Sequence, residues 1–172
     1  MNHEPEKLKH GQALAIQWVV FALQKLSLDV KRDGRLSRSL LGDAKTTSGA
    51  DGLETLALGC KYVVNFVLPF AIELSLKSLI TKEKIIPLQI HDLLLLFDSL
   101  PLNLQGKLES RYHQLSEKSF ANDCKCFRQL LIDHKVDFVN WRYLDEMDIL
   151  KNEEIKLQYA LTSVLDVFND SE

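Results

Sequence analysis

Apolar positions recur at helical spacing along almost the whole chain. From about Pro5 to Leu28, the residues Ala15, Trp18, Val19, Ala22 and Leu26 follow the i, i+3, i+4, i+7, i+11 spacing of one helical face. Ile16, Val20 and Leu23 widen that stripe, so this helix is expected to be buried over more than half its girth. A second helical segment spans about Leu53 to Thr81. Pro69 is expected to kink or divide it, because proline removes one backbone bond and clashes with the preceding turn. A third, from about Leu88 to Leu100, places Ile90, Leu94 and Phe97 on one side; Pro101 stops it and can open the next helix at its first turn. That fourth helix carries Leu104, Leu108, Tyr112 and Leu115. The fifth, capped near Asn122-Asp123, carries Phe127, Leu130 and Leu131. Leu157, Leu161, Val164, Leu165 and Phe168 define a last amphipathic helix. No run alternates with period two. The pattern predicts an all-α fold, a helical bundle of about five to seven helices with antiparallel neighbours.

Length adds that the 172 residues suffice for one domain with a substantial core. The expected division is an N-terminal helix over 1–30, a flexible basic loop over 31–52 and a bundle core over 53–172. Apolar residues at 46% and charged residues at 26% exclude wholesale disorder. The net charge of -3 says nothing about a polyanionic partner, but its distribution is uneven. Lys31, Arg32, Arg35 and Arg38 face Asp33 alone, in a stretch rich in Gly, Ser and Thr that reads as a loop. Eight carboxylates against Lys151 and Lys156 make the segment from Leu144 to Glu172 acidic, which reads as a solvated helix face.

Three cysteines, Cys60, Cys124 and Cys126, and an amino terminus (MNHEPEKLKH) without the apolar stretch of a signal peptide predict a reducing, cytoplasmic setting. The longest apolar run, Tyr62 to Leu76, is interrupted by Asn65, Pro69 and Glu73 and reads as a core helix, not a membrane crossing.

Three segments, in order, carry a likeness. They are PFAIELSLKSLI (Pro69 to Ile80), IHDLLLLFDSLP (Ile90 to Pro101) and HKVDFVNWRYLDE (His134 to Glu146). The first is similar to an Ala-x-Glu-x-x-x-Lys helix, the second to a His-Asp-Leu…Leu-Phe…Leu-Pro segment, the third to a Phe-x-x-Trp-Arg-Tyr-x-x-Glu ending. Together they resemble the HEPN superfamily of helical, nucleic-acid-associated proteins, over under half of the chain. The resemblance implies a helical bundle, often a homodimer, associated with bacterial defence, toxin–antitoxin or stress systems. It also implies RNA as a ligand and, in many members, metal-independent ribonuclease activity. Their catalytic pattern is an Arg followed after four to six residues by a His, shared between two protomers; here Arg128, then QLLID, then His134 match it. Gln129 departs in part from the residue usual after that Arg in active members.

RNA cleavage without a metal needs a base for the 2′-hydroxyl, an acid for the leaving oxygen and positive charge at the phosphate. Histidine near neutral pH and the planar fork of arginine supply these. The structural alternative is equally concrete. In one continuous helix His134 joins Phe127, Leu130, Leu131, Phe138 and Trp141 on the apolar stripe, with Arg128 about 120° away. A dimer, or a helix end near Asp133, changes that geometry.

Glu73 and Lys77 stand i, i+4 in an apolar setting and read as a buried or half-buried ion pair. The family motifs put His91, Arg142, Tyr143 and Glu146 on neighbouring helices, so these join them either in a network that holds register or in a nucleotide or RNA pocket. Arg142 and Glu146 are themselves i, i+4. Lys31, Arg32, Arg35 and Arg38 can contact phosphates without sequence preference, or simply be solvated; no aromatic lies among them for base stacking. Cys124-x-Cys126 with His113 and His134 is too sparse for structural zinc, so no metal is expected, and no motif calls for a cofactor. Two functions follow: an RNA-binding defence or toxin–antitoxin protein that cleaves RNA through Arg128 and His134, or a non-catalytic dimeric interaction or regulatory module, antitoxin-like or ligand-binding, with a partner protein.

Overall fold

A computed structural model describes residues 5–32, 49–83, 90–117, 126–135 and 153–170. These form six helices and no strand: α1 (Pro5–Arg32), α2 (Gly49–Lys82), α3 (Leu93–Asp98), α4 (Leu102–Glu117), α5 (Phe127–Asp133) and α6 (Glu154–Asp170). The protein is an all-α bundle in which buried side chains from all six helices join one hydrophobic cluster. No helix among the described residues is long and apolar enough to cross a membrane.

The bundle is organised around α2, which packs against α1, α3 and α6. Between Ala71 and Ile80 only Leu74 and Lys77 are less than fully buried, which explains the nearly continuous apolar run. Ser75 and Ser78 are buried without cost to the core because their hydroxyls donate to the carbonyls of Ala71 and Leu74 at 2.9 and 3.0 Å. The expected division at Pro69 does not occur; the helix continues through it. The donor that proline lacks is lost, but Leu68, Ala71 and Ile72 around it are completely buried, and that burial offsets the loss.

In α1 the structure corrects the expected orientation. The buried side is His10, Ala13 and Val20, with Leu14, Ile16 and Leu23 partly covered, while Ala15, Trp18, Val19 and Ala22 face solvent. Both sides of this helix are apolar, so spacing alone does not choose between them; α2 and α6 pack on the Ala13–Val20 side. The helix also runs to Arg32, so Lys31 and Arg32 belong to its last turn and not to a loop, and α2 begins at Gly49. Arg35 and Arg38 lie outside the described residues. At one end of the bundle, the Phe168 ring of α6 stacks on His10 at 4.1 Å between centroids. The Lys82 ammonium lies 4.4 Å over the same ring and donates to the Phe168 carbonyl at 2.9 Å. One residue thus joins α1, α2 and α6.

The helix α3 is a six-residue turn, much shorter than expected. Asp92 sets its start: the carboxylate oxygen Oδ1 accepts from the amides of Leu94 and Leu95 at 2.9 and 3.1 Å. The Leu93 amide turns instead to the Lys135 carbonyl at 3.2 Å. Pro101 is one residue ahead of α4, its carbonyl accepting from Leu104 and Gln105. On α4, Leu104, Leu108 and Tyr112 are buried with Leu115 partly covered, and on α6, Leu157, Leu161, Val164, Leu165 and Phe168 are buried, as their spacing predicts. The Asn122-Asp123 pair lies outside the described residues; α5 starts at Phe127, with Cys126 as its cap. Phe127 packs its ring 5.4 Å from Phe97 and 5.7 Å from Tyr112, closing α3, α4 and α5 on one aromatic cluster.

Candidate functional site

Two polar centres are built into this scaffold. The first belongs to α5 and its ends. Glu109 of α4 accepts from the amides of Phe127 and Arg128 at 2.9 and 2.8 Å, and the Cys126 thiol accepts from the Gln129 amide at 3.4 Å. This fixes Arg128 on the first turn with its side chain outward. The guanidinium forks onto Asp98 at the end of α3, Nε to Oδ1 at 3.3 Å and Nη2 to Oδ2 at 2.9 Å. The helix ends at Asp133, and His134 is its C-cap, its amide donating to the Leu130 carbonyl. The imidazole turns inward. His134 is 4% exposed, and its Nε2 lies 2.8 Å from Oε2 of Glu153, just before α6. Lys156 approaches the other oxygen of Glu153 at 3.8 Å and is itself buried. Arg128 and His134 therefore stand at opposite ends of one short helix, and each meets a different carboxylate.

The second centre lies between α2 and the segment ahead of α3. Glu73 is almost completely buried; its Oε1 is 2.7 Å from Lys77 Nζ and 3.0 Å from His91 Nδ1. Its second oxygen, Oε2, is buried without a hydrogen-bond partner. The Lys77 side chain is mostly covered, whereas that of His91 is 52% exposed. One carboxylate thus serves a cation along its own helix and an imidazole from another element. Of the residues expected in this network, Glu73, Lys77 and His91 come together; Arg142, Tyr143 and Glu146 lie outside the described residues.

Sequence reasoning missed the residues that engage the Arg–His pair. Asp98 stands 30 positions before Arg128, and Glu153 stands 19 after His134, distances at which spacing carries no signal. It also missed Glu109, whose role depends on α4 and α5 meeting. Among the described residues no group of three His, Cys, Asp or Glu side chains converges as a metal site. Cys126 is an exposed free thiol; Cys124 lies outside the described residues. No protein-family model, curated protein or solved structure matches this chain.

Proposed function

We propose that this chain is a HEPN-like helical module of a bacterial defence or toxin–antitoxin system that acts by binding, as a non-catalytic interaction or regulatory subunit that dimerises or meets a partner protein. The family assignment is carried by the three ordered segments in the sequence. The non-catalytic reading is carried by one observation: the Arg128 guanidinium is forked onto Asp98, and the His134 imidazole is buried on Glu153. A general base must reach the proton it removes, and an arginine clamp must offer its donors to the phosphate. Both side chains serve the bundle instead.

Purified chain incubated with single-stranded and structured RNA in the presence of a chelator is expected to leave the RNA intact. Metal-independent cleavage that disappears in both Arg128→Ala and His134→Gln would overturn this reading and establish the second one, RNA cleavage by that pair. The observation favouring the second reading is the His134–Glu153 contact itself, since a carboxylate bonded to an imidazole is how a catalytic base is oriented.

A further inference from the structure

Between α4 and α6 runs an open groove of about 850 Å³, and its two walls carry opposite charge: Lys107 and Arg111 stand on α4, Asp166 and Asp170 on α6. The walls are bridged at one level. Arg111 brings Nε and Nη2 to the same oxygen of Asp166, Oδ2, at 2.8 and 2.7 Å. One helical turn away along each wall, at Lys107 and Asp170, the charges repeat but no bridge forms. Among the described residues neither of these side chains has an ion pair or a hydrogen bond, and Asp166 keeps its Oδ1 without a donor. Gly106 stands beside Lys107 on the same wall. A glycine inside a helix is less stable than an alanine, yet a Cβ added at Gly106 would meet no atom within 4 Å. The bundle does not need the missing side chain; its effect is to leave the wall of the groove bare.

We infer that this groove binds a small zwitterion of the amino-acid or short-peptide class, its carboxylate on Lys107 and its ammonium on Asp170 and the open oxygen of Asp166. The inference rests on the binding reading above and names a ligand for it. The charges choose the class. A simple anion meets two carboxylates and a simple cation meets Lys107 and Arg111, whereas a molecule carrying both charges satisfies both walls at once. A nucleotide is disfavoured, because its phosphate faces Asp166 and Asp170 and no aromatic among the described residues lines the groove for a base. An apolar ligand is disfavoured too: apart from Gly106 and Val167, every residue lining the groove is polar or charged. The volume lies within the roughly 300–1,000 Å³ of small-molecule sites, and the bare wall at Gly106 lets a peptide main chain approach α4. The groove is open and its charges are exposed, so the expected affinity is weak, roughly millimolar, and sensitive to salt.

Heteronuclear NMR of the full chain, titrated with triglycine at low salt, is expected to show saturable shifts at the amides of Gly106, Lys107 and Asp170 that shrink as salt is added. N-acetyl-triglycine, which lacks the ammonium, and triglycine amide, which lacks the carboxylate, should each bind more weakly by roughly threefold. Lys107→Gln and Asp170→Asn should weaken triglycine binding to a similar extent and leave the unfolding midpoint essentially unchanged, because neither side chain has a partner to lose. Gly106→Gln, a better helix former whose side chain fills the groove, should raise the midpoint and abolish binding. The absence of a saturable shift at these amides overturns the inference. So does a blocked peptide or a charge variant that binds as tightly as the parent pair, and so does a Gly106→Gln chain that binds triglycine unchanged. The two proposals fail separately. Metal-independent RNA cleavage that needs Arg128 and His134, in a chain that still binds triglycine, would sink the non-catalytic reading and leave the groove standing; a chain that neither cleaves RNA nor binds triglycine does the reverse.

Discussion

Among the described residues, two histidine–carboxylate pairs are of similar length and opposite burial. At His134–Glu153, 2.8 Å apart, the imidazole is buried and the carboxylate is slightly the more exposed of the two. At His91–Glu73, 3.0 Å apart, the carboxylate is buried and the imidazole stands half in water. The same contact therefore costs different things. A buried carboxylate must keep its cation or be stranded as a charge in a low-dielectric core, whereas a half-exposed imidazole that loses its partner turns to water. Distance alone does not rank such pairs; the burial of each member does.

That ranking can be broken by removing one partner at a time and measuring unfolding in urea. The largest loss is expected from Lys77→Ala, which leaves Glu73 buried beside a half-exposed histidine and should cost on the order of 3 kcal/mol. Replacing both members, Glu73→Leu with Lys77→Leu, should recover most of it, because no charge is then stranded. An unchanged midpoint for Lys77→Ala alone would show that the carboxylate does not depend on its cation. His134→Ala comes next, at about 2 kcal/mol, from a vacated buried site and a Glu153 that loses its 2.8 Å contact. The smallest effects belong to the exposed members. His91→Ala and Arg128→Ala should each cost less than about 1 kcal/mol, and the Arg128 effect should shrink further in high salt. A loss at His91 equal to that at His134 would abolish the comparison.

Much of this could be read from the sequence where polar residues interrupt an apolar repeat. On α4, Lys107, Ser110 and Gln114 separate Leu104, Leu108 and Tyr112, so only one face can go inside. On α1 no charged residue stands between His10 and Gln24, and Gln12 and Gln17 leave apolar residues on both sides of the helix, so the stripe led by Trp18 was as eligible for burial as the one led by Ala13. The position of α2 and α6 made the choice, and that is a tertiary fact. The start of α3 was hidden for another reason: Asp92 captures two amides through its side chain, ending the extended segment five residues later than hydrophobic spacing suggests. Glu73, Lys77 and His91 were legible as a group from helical spacing and the family likeness. Arg128 and His134 were legible as a spacing, but their environments are set by Asp98 and Glu153, which only folding brings near.

The carboxylate of Glu109, bonded to the first two amides of α5, also ties the stability of α5 to that of α4. At seven residues, α5 is about half the length at which an isolated helix begins to persist in water, and its own cap is a thiol, a weak acceptor. The first turn of α5 is therefore held by a neighbour, through Glu109 of α4 turned toward Phe127 and Arg128. The two helices then form one cooperative unit, and the amides at the start of α5 become exchangeable when α4 opens.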